Sequence, residues 1–208
     1  MVRPLAAAVL LLLVPAAVAQ PRIDGMIDAN EYDSTATFAE GSYVIHWTVH
    51  GQDIYFAIQA RTTGWVALGI RPTQAMKDAD MILGSVSATG SPSIIDAYST
   101  GANGPHPADT SLGGTSDVAS YGGSQRNGIT IFEFRRALAT GDKYDKDIPA
   151  QGNVMIIWAL GSSDIFTDYH TERGAGMLTM RIPEAIPIIA ILCLGALLGR
   201  PAGRALLV

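Results

Sequence analysis

An alternation at positions 43–60 in which every second residue of two neighbouring segments is apolar is the feature that most restricts how this chain can fold. In an extended segment, alternate side chains point to opposite faces. The residues of one face are all apolar: Tyr43, Ile45, Trp47 and Val49. Gly51 and Gln52 supply a tight turn, and residues 53–60 then return with the same alternation. The pattern predicts a β-hairpin with one buried face.

The rest of the chain repeats short segments of this kind between glycine-rich turns. Further strands are predicted at residues 64–70, 81–88, 94–99, 129–134, 153–160 and 176–181. Residues 135–138 are predicted to form a short turn of helix. Residues 101–125 are rich in glycine and without period, which is typical of a long functional or disordered loop. The predicted fold is all-β, an immunoglobulin-like antiparallel β-sandwich of about eight strands in one domain.

The two ends of the chain predict export and membrane attachment. Arg3, an apolar run and the small residues at positions 17–19 follow the order of a secretory signal, so we expect residues 1–19 to be removed. Residues 20–183 form the predicted sandwich domain. Residues 184–208 contain an apolar run followed by Arg200 and Arg204, which favours a membrane anchor with a cytoplasmic end or a processed sorting segment. A buried terminal helix is the alternative for this run.

Composition excludes several kinds of partner and site. The formal net charge is −5 at pH 7, which argues against nucleic acid, because Lys and Arg supply that affinity. Cys193 is the only cysteine and lies in the C-terminal apolar run, so the exported domain has no disulfide. The motifs of serine hydrolases, zinc proteases and phosphate-binding loops are absent, so we expect a binding or electron-transfer domain rather than an enzyme.

Two loops carry the residues with the clearest functional interpretation. Met76 lies in a polar loop after the strand predicted at residues 64–70 and has no obvious core face to join. It is either a loop methionine that folds back as a plug or a thioether ligand for a metal or haem. His170 lies in a second loop, at residues 162–174, rather than on an apolar strand.

The motifs around these two residues resemble the DOMON family, the β-sandwich domains of extracellular haem-b cytochromes and of some copper monooxygenases. The first is Gly-Trp-Val-Ala-Leu-Gly at residues 64–69, followed by Met76 and Ala-Asp at 79–80; the second is Asp-Tyr-His-Thr-Glu-Arg-Gly at 168–174. The resemblance covers about residues 23–181. In the haem-binding branch, the loop methionine and the late histidine are the axial iron ligands, which implies that role for Met76 and His170.

The resemblance also implies a cofactor, a partner and further site residues. The chain has no Cys-x-x-Cys-His motif, so the haem would be non-covalent haem b. Filled axial positions favour electron transfer with a redox partner protein outside the cytoplasm. The expected walls of the haem site are Trp65, Met81, Tyr98 and Phe166. The expected partners of its propionates are Arg71, Lys77 and Arg173. Ordinary core packing and surface charge remain the alternative roles of these residues.

Other interpretations stay open from the sequence. The domain could instead be a colourless DOMON sandwich that binds sugar or another small ligand, or an adhesion module. His46 and His50 share one strand face that we expect to be solvated, and His106 is assigned to loop structure. Calcium could bind oxygen ligands in the acidic loops, either at Asp78 with Asp80 or at Asp164 with Asp168.

Overall fold

Extended backbone dominates the computed structural model, which describes residues 10–15, 19–182 and 187–192 in two separate units. In the first unit, β1 (Leu10–Pro15) pairs antiparallel with β12 (Pro187–Leu192). The described ranges contain no helix of the length and apolar character needed to cross a membrane. The predicted signal at residues 1–19 and the C-terminal segment at 184–208 lie largely outside the described residues and stay predictions.

The second unit contains two five-stranded sheets in which all neighbouring strands are antiparallel. The first sheet has the order β11-β10-β5-β6-β7 and the second β2-β3-β4-β9-β8. Short 3-10 helices span Ala39–Gly41 and Asp109–Leu112. The strands are β2 (Ser34–Phe38), β3 (Tyr43–His50), β4 (Asp53–Ala60), β5 (Val66–Ile70), β6 (Asp80–Val86), β7 (Pro92–Tyr98), β8 (Val118–Arg126), β9 (Ile129–Ala137), β10 (Gly152–Leu160) and β11 (Glu172–Met180). The predicted antiparallel β-sandwich is confirmed, with ten strands rather than about eight.

The main core lies between the two sheets and follows the alternation seen in the sequence. Strands β3 and β4 form the predicted hairpin, in which Tyr43 is opposite Ala60. The four apolar residues on one face of β3 are all buried. In the first sheet, the residues that face this core include Leu68, Ile82 and Ile156. Fully burying a side chain of this size contributes about 1.5–3 kcal/mol, so the interface between the sheets holds the sandwich together.

A second apolar cluster covers the outer face of the first sheet. Ala67, Met81, Leu83 and Ala97 alternate with the inward-facing residues of their strands and form this cluster with Trp65 and Ala79. As a result, every residue of β5 and of β6 is buried. The outer face of the first sheet is therefore covered at β5 and β6, whereas Met155 on β10 and Met177 on β11 are exposed, and the candidate site lies on this outer face.

Two predictions in the second half of the chain are wrong. Residues 135–137 continue β9 rather than forming a helical turn, because β9 pairs with β4 on one side and β8 on the other as far as Ala137. Residues 118–126 form β8 rather than loop. A side chain at Gly123 would lie 2.7 Å from the Val86 side chain. The strand therefore has glycine at a position where an apolar residue would have made the strand pattern visible in the sequence.

Candidate functional site

A cavity of about 410 Å³ lies on the outer face of the first sheet. Loops at residues 71–79, 99–108 and 161–171 each contribute to it. The strand residues that line it are small or apolar, whereas the loops add a thioether, an amide and an imidazole. The lining residues are Ala67, Gly69, Ala75, Met76, Met81, Asn103, Ile157, Trp158, Ala159, His170, Arg173, Gly174 and Ala175.

The loop that carries Met76 is a tight turn tied to its neighbours. The Lys77 N–H donates to the Gln74 carbonyl at 2.8 Å, and the Ala79 N–H donates to the Met76 carbonyl at 3.1 Å. The Met76 N–H donates to the carbonyl of Ala102 in the adjacent loop at 3.3 Å. These bonds let a residue with no strand of its own hold a defined position at the cavity.

A carboxylate completes the same turn. The Thr73 hydroxyl donates to Asp78 at 2.5 Å, and the Tyr98 hydroxyl donates to its other oxygen at 3.1 Å. The Thr73 hydrogen bond, helped by Tyr98 and by nearby lysines, lowers the pKa of Asp78 below its ordinary value. Asp78 thus acts as a brace between the Met76 loop and β7, with both oxygens already bonded.

His170 reaches the cavity from the start of β11. The Thr171 N–H donates to the Leu160 carbonyl at 2.8 Å, which anchors the backbone next to the histidine. Nη1 of Arg173 lies 3.4 Å from Nε2 of His170. A guanidinium has donors only, so Nε2 of His170 accepts in this contact only in the tautomer that leaves its lone pair free. A neutral imidazole is the form that ligates a metal.

Glycines make room along the strands beside the cavity. A β-carbon at Gly69 would lie 2.5 Å from Cγ1 of Ile157, and one at Gly174 would lie 2.5 Å from Cζ2 of Trp158. Side chains at either position would push these larger residues out of place. Ala67 and Gly69 lie on the outer face and leave an apolar floor to the cavity, whereas Gly174 makes room for Trp158 in the core between the sheets.

The structure brings some of the predicted site residues together. Met76, Met81, His170 and Arg173 all line the cavity. Trp65 belongs to the apolar cluster of the outer face, and Phe166 packs against that cluster, but neither side chain lines the cavity.

Three other predicted residues also lie outside the cavity lining. Tyr98 bonds to Asp78 and packs on Tyr144 with ring centroids 5.3 Å apart. Lys77 is exposed on the Met76 loop. Arg71 donates from Nη1 to the Asp147 carbonyl at 3.1 Å.

Asn103 and His106 were not singled out as site residues from the sequence. Asn103 lines the cavity, and its only signal was its place in the long glycine-rich segment. His106 is half-buried, and its Nδ1 has no hydrogen-bond partner among the described residues. Burial, with a smaller effect from the charge of His170, lowers the pKa of His106. His46 is different, because its Nδ1 lies 2.9 Å from the Thr35 hydroxyl on β2.

Known proteins with similar sequences are considerably longer than this chain. Human DBH-like monooxygenase protein 1 is 35% identical over 156 residues, which is 73% of this chain and 24% of the relative. MOXD1 homolog 2 of Drosophila melanogaster is 35% identical over 98 residues, 47% of this chain and 12% of the relative. The chain thus spans about a quarter or less of the length of these relatives.

Among solved structures, similarity is found to a cytochrome b domain of pyranose dehydrogenase from Coprinopsis cinerea. The TM-score is 0.47 at 15% identity, covering 66% of this chain and 75% of that chain. The family model described as DOMON domain matches residues 39–161. This match covers more than half of the chain and includes β3 to β10, from which both sheets are built. The protein is therefore a member of the DOMON domain family.

Proposed function

We propose that this domain binds haem b in the cavity of the first sheet and transfers electrons outside the cytoplasm. The observation that carries the proposal is the meeting of Met76 and His170 at one cavity, although they come from loops far apart in the sequence. These are the two residues that the DOMON resemblance assigns as axial ligands. A thioether and a neutral imidazole form a donor set typical of electron-transfer haem proteins.

The other lining residues fit the same group. Arg173 supplies a fixed positive charge at the cavity, as a haem propionate requires. Ala67, Met81, Ile157 and Ala159 give apolar walls that exclude water. Haem, when bound, supplies one-electron chemistry, and a thioether ligand favours the reduced iron. If Met76 and His170 both held the iron, no coordination position would stay open for a substrate, which favours electron transfer over catalysis.

The proposed location and partner rest on the ends of the sequence and on the resemblance. An exported domain of this kind would exchange electrons with a redox partner protein outside the cytoplasm. Tethering through residues 184–208 would keep it near the membrane. A net charge of −5 gives no reason to expect nucleic acid as a partner.

Replacing the two ligands separates this function from its alternatives. Protein expressed with excess haem should show a Soret band that shifts on reduction. His170→Ala should lose most of the haem, since it removes the stronger ligand. Met76→His should keep the haem but lower its reduction potential, because a second imidazole replaces the thioether. Visible spectra and potentiometric titration measure these effects.

The matched controls are His46→Ala and His50→Ala on β3, in the second sheet and outside the cavity lining. Both should leave the spectrum unchanged. Haem binding by His170→Ala equal to that of the wild type would refute the assignment of this ligand. A wild-type protein that stays colourless with excess haem would instead favour a small organic ligand in the same cavity.

A further inference from the structure

The loop at residues 99–108 carries an Asn-Gly pair whose side-chain amide belongs to the cavity. Asn103 lines the cavity and is exposed. Gly104 follows it with a φ of +89°, in the region of backbone conformation that favours glycine. Because Gly104 has no β-carbon, its backbone nitrogen can approach the side-chain carbonyl carbon of Asn103 closely. The pair therefore has the composition that closes most readily to a succinimide ring.

His106 presents an imidazole nitrogen without a partner to the same pair. A β-carbon at Gly104 would lie 3.7 Å from Nδ1 of His106 and 4.0 Å from its backbone nitrogen. Nδ1 is buried and has no hydrogen-bond partner among the described residues. Burial lowers the pKa of His106, so the imidazole is neutral at pH 7, and Nδ1 holds a lone pair in one of its two tautomers. A base thus lies beside the Gly104 backbone.

A second Asn-Gly pair in the chain has different surroundings. Asn127 and Gly128 form the turn between β8 and β9, with φ of +53° and +76°. A β-carbon at Gly128 would meet no atom within 4 Å apart from its own chain neighbours. The two pairs therefore share the same dipeptide, and of the two the pair at the cavity is the one with an imidazole beside it.

We propose that Asn103 is a site of spontaneous deamidation, in which His106 acts as the base. The Gly104 nitrogen attacks Cγ of Asn103, so that a new C–N bond forms while the bond from Cγ to the amide nitrogen breaks. His106 takes the proton of the Gly104 N–H, directly or through one water, and returns it to the departing ammonia. Water then opens the succinimide to aspartate or isoaspartate. The reaction is a hydrolysis and needs no oxidant or cofactor.

One hydrogen bond opposes the attack. The Gly104 N–H donates to the Gly101 carbonyl at 3.2 Å, and this bond must open before the nitrogen can reach the side chain. A hydrogen bond of this kind contributes only about 0.5–1.5 kcal/mol. Opening it therefore adds little to the barrier for ring closure.

The modification would change the charge of the cavity. Its described lining includes Arg173 but neither aspartate nor glutamate. Conversion of Asn103 places a carboxylate there instead of a neutral amide. An anionic group in the cavity would then meet a like charge and bind less tightly. This consequence rests on the proposed function, whereas the modification itself does not.

Peptide mapping of the full chain by mass spectrometry tests the proposal. Trypsin separates the two Asn-Gly pairs, because Arg126 lies between them. During incubation at neutral pH, the peptide with Asn103 should gain the mass of an amide-to-acid change about tenfold or more faster than the peptide with Asn127. His106→Ala should slow the reaction at Asn103 to the rate at Asn127 and leave Asn127 unchanged.

Two further variants serve as controls. Asn103→Gln should abolish the mass change in its peptide, because glutamine closes a larger ring much more slowly. His46→Ala removes a histidine outside the cavity lining and should leave both rates unchanged. Circular dichroism checks that each variant is folded.

Three results would overturn the proposal, and none of them depends on haem in the cavity. The first is a wild-type protein in which Asn103 stays unmodified, and the second is an equal rate at both pairs. The third is a rate at Asn103 in folded His106→Ala that equals or exceeds the wild-type rate. A merely structural His106 predicts the faster rate, because a looser loop would free the Gly104 N–H from Gly101.

Discussion

Two adjacent arginines on β9 lie in opposite environments. Arg136 is 1% exposed and pairs with Asp80 and Asp145, whereas Arg135 pairs with Asp53 with about a third of both side chains exposed. Removing one partner of a buried pair leaves a buried charge without compensation. The burial of each arginine therefore decides how much its ion pair contributes to the free energy of unfolding.

This contrast predicts unequal effects of two matched substitutions. Arg136→Met should lower the free energy of unfolding by about 3–5 kcal/mol. Arg135→Met should lower it by about 0–1 kcal/mol, because solvent screens the exposed pair. Urea unfolding at pH 7.5 measures both. Equal losses would mean that Asp80 and Asp145 are not charged in the folded protein.

At the scale of elements, β9 also fastens the N-terminal segment of the sandwich. Glu133 accepts from the Tyr32 hydroxyl at 2.7 Å and from the N–H groups of Gly25 and Asp24 at 2.6 and 3.1 Å. Burial raises the pKa of Glu133 from its ordinary 4.5 to about 6, against the effect of these hydrogen bonds. The folded state therefore binds the Glu133 proton more tightly than the unfolded state does.

A pH dependence of stability follows from this carboxyl group. Its contribution to the free energy of unfolding is most favourable below pH 4.5 and is lost as the pH rises through about 6. Relative to Glu133→Gln, the wild type should lose about 1–2 kcal/mol over this interval. Urea unfolding of both proteins at several pH values gives the difference. Parallel curves would show that Glu133 titrates alike in both states.

The strands that were predicted from the sequence are those in which apolar residues recur at every second position. The hairpin at residues 43–60 was predictable because one face is continuously apolar and packs in the core between the sheets. Strand β8 was not predictable, because it is held by pairing with β9 and carries no alternating apolar residues. Gly122 and Gly123 are needed there because neighbouring atoms leave no space for a side chain. The end of β9 was not predicted because arginine is usually exposed, and the sequence does not show that Arg136 is buried.

The candidate site was predictable in part for similar reasons. The family motifs pointed to Met76, His170 and Arg173, and all three line the cavity. The floor of the cavity was not predictable, because Ala67 and Gly69 contribute to it only by being small and leaving space. The pairing of Arg136 with Asp80 and Asp145 was not predictable either, since these residues come from separate segments that only the fold brings together.

At the scale of the molecule, the cavity and the buried pair of Asp80 with Arg136 lie on opposite faces of the first sheet. Met76 contributes to the cavity on the outer face, and Asp80, four residues later, pairs with Arg136 on the inner face. The Ala79 N–H donates to the Met76 carbonyl, so the link between them is a short, bonded turn. The ion pair of Asp80 with Arg136 therefore helps to hold the loop that presents Met76.

The last prediction concerns the ends of the chain, whose roles are proposals. In a host that exports the protein, mass spectrometry of the mature chain should find Gln20 at its N-terminus, because Ala17 and Ala19 provide the small residues of a cleavage site. The protein should fractionate with membranes, and a chain ending at Pro183 should be released. The sandwich core lies within residues 20–183, so this shorter chain should keep a strand-dominated circular dichroism spectrum. Full-length protein that retains Arg3 and needs no detergent would contradict both end assignments.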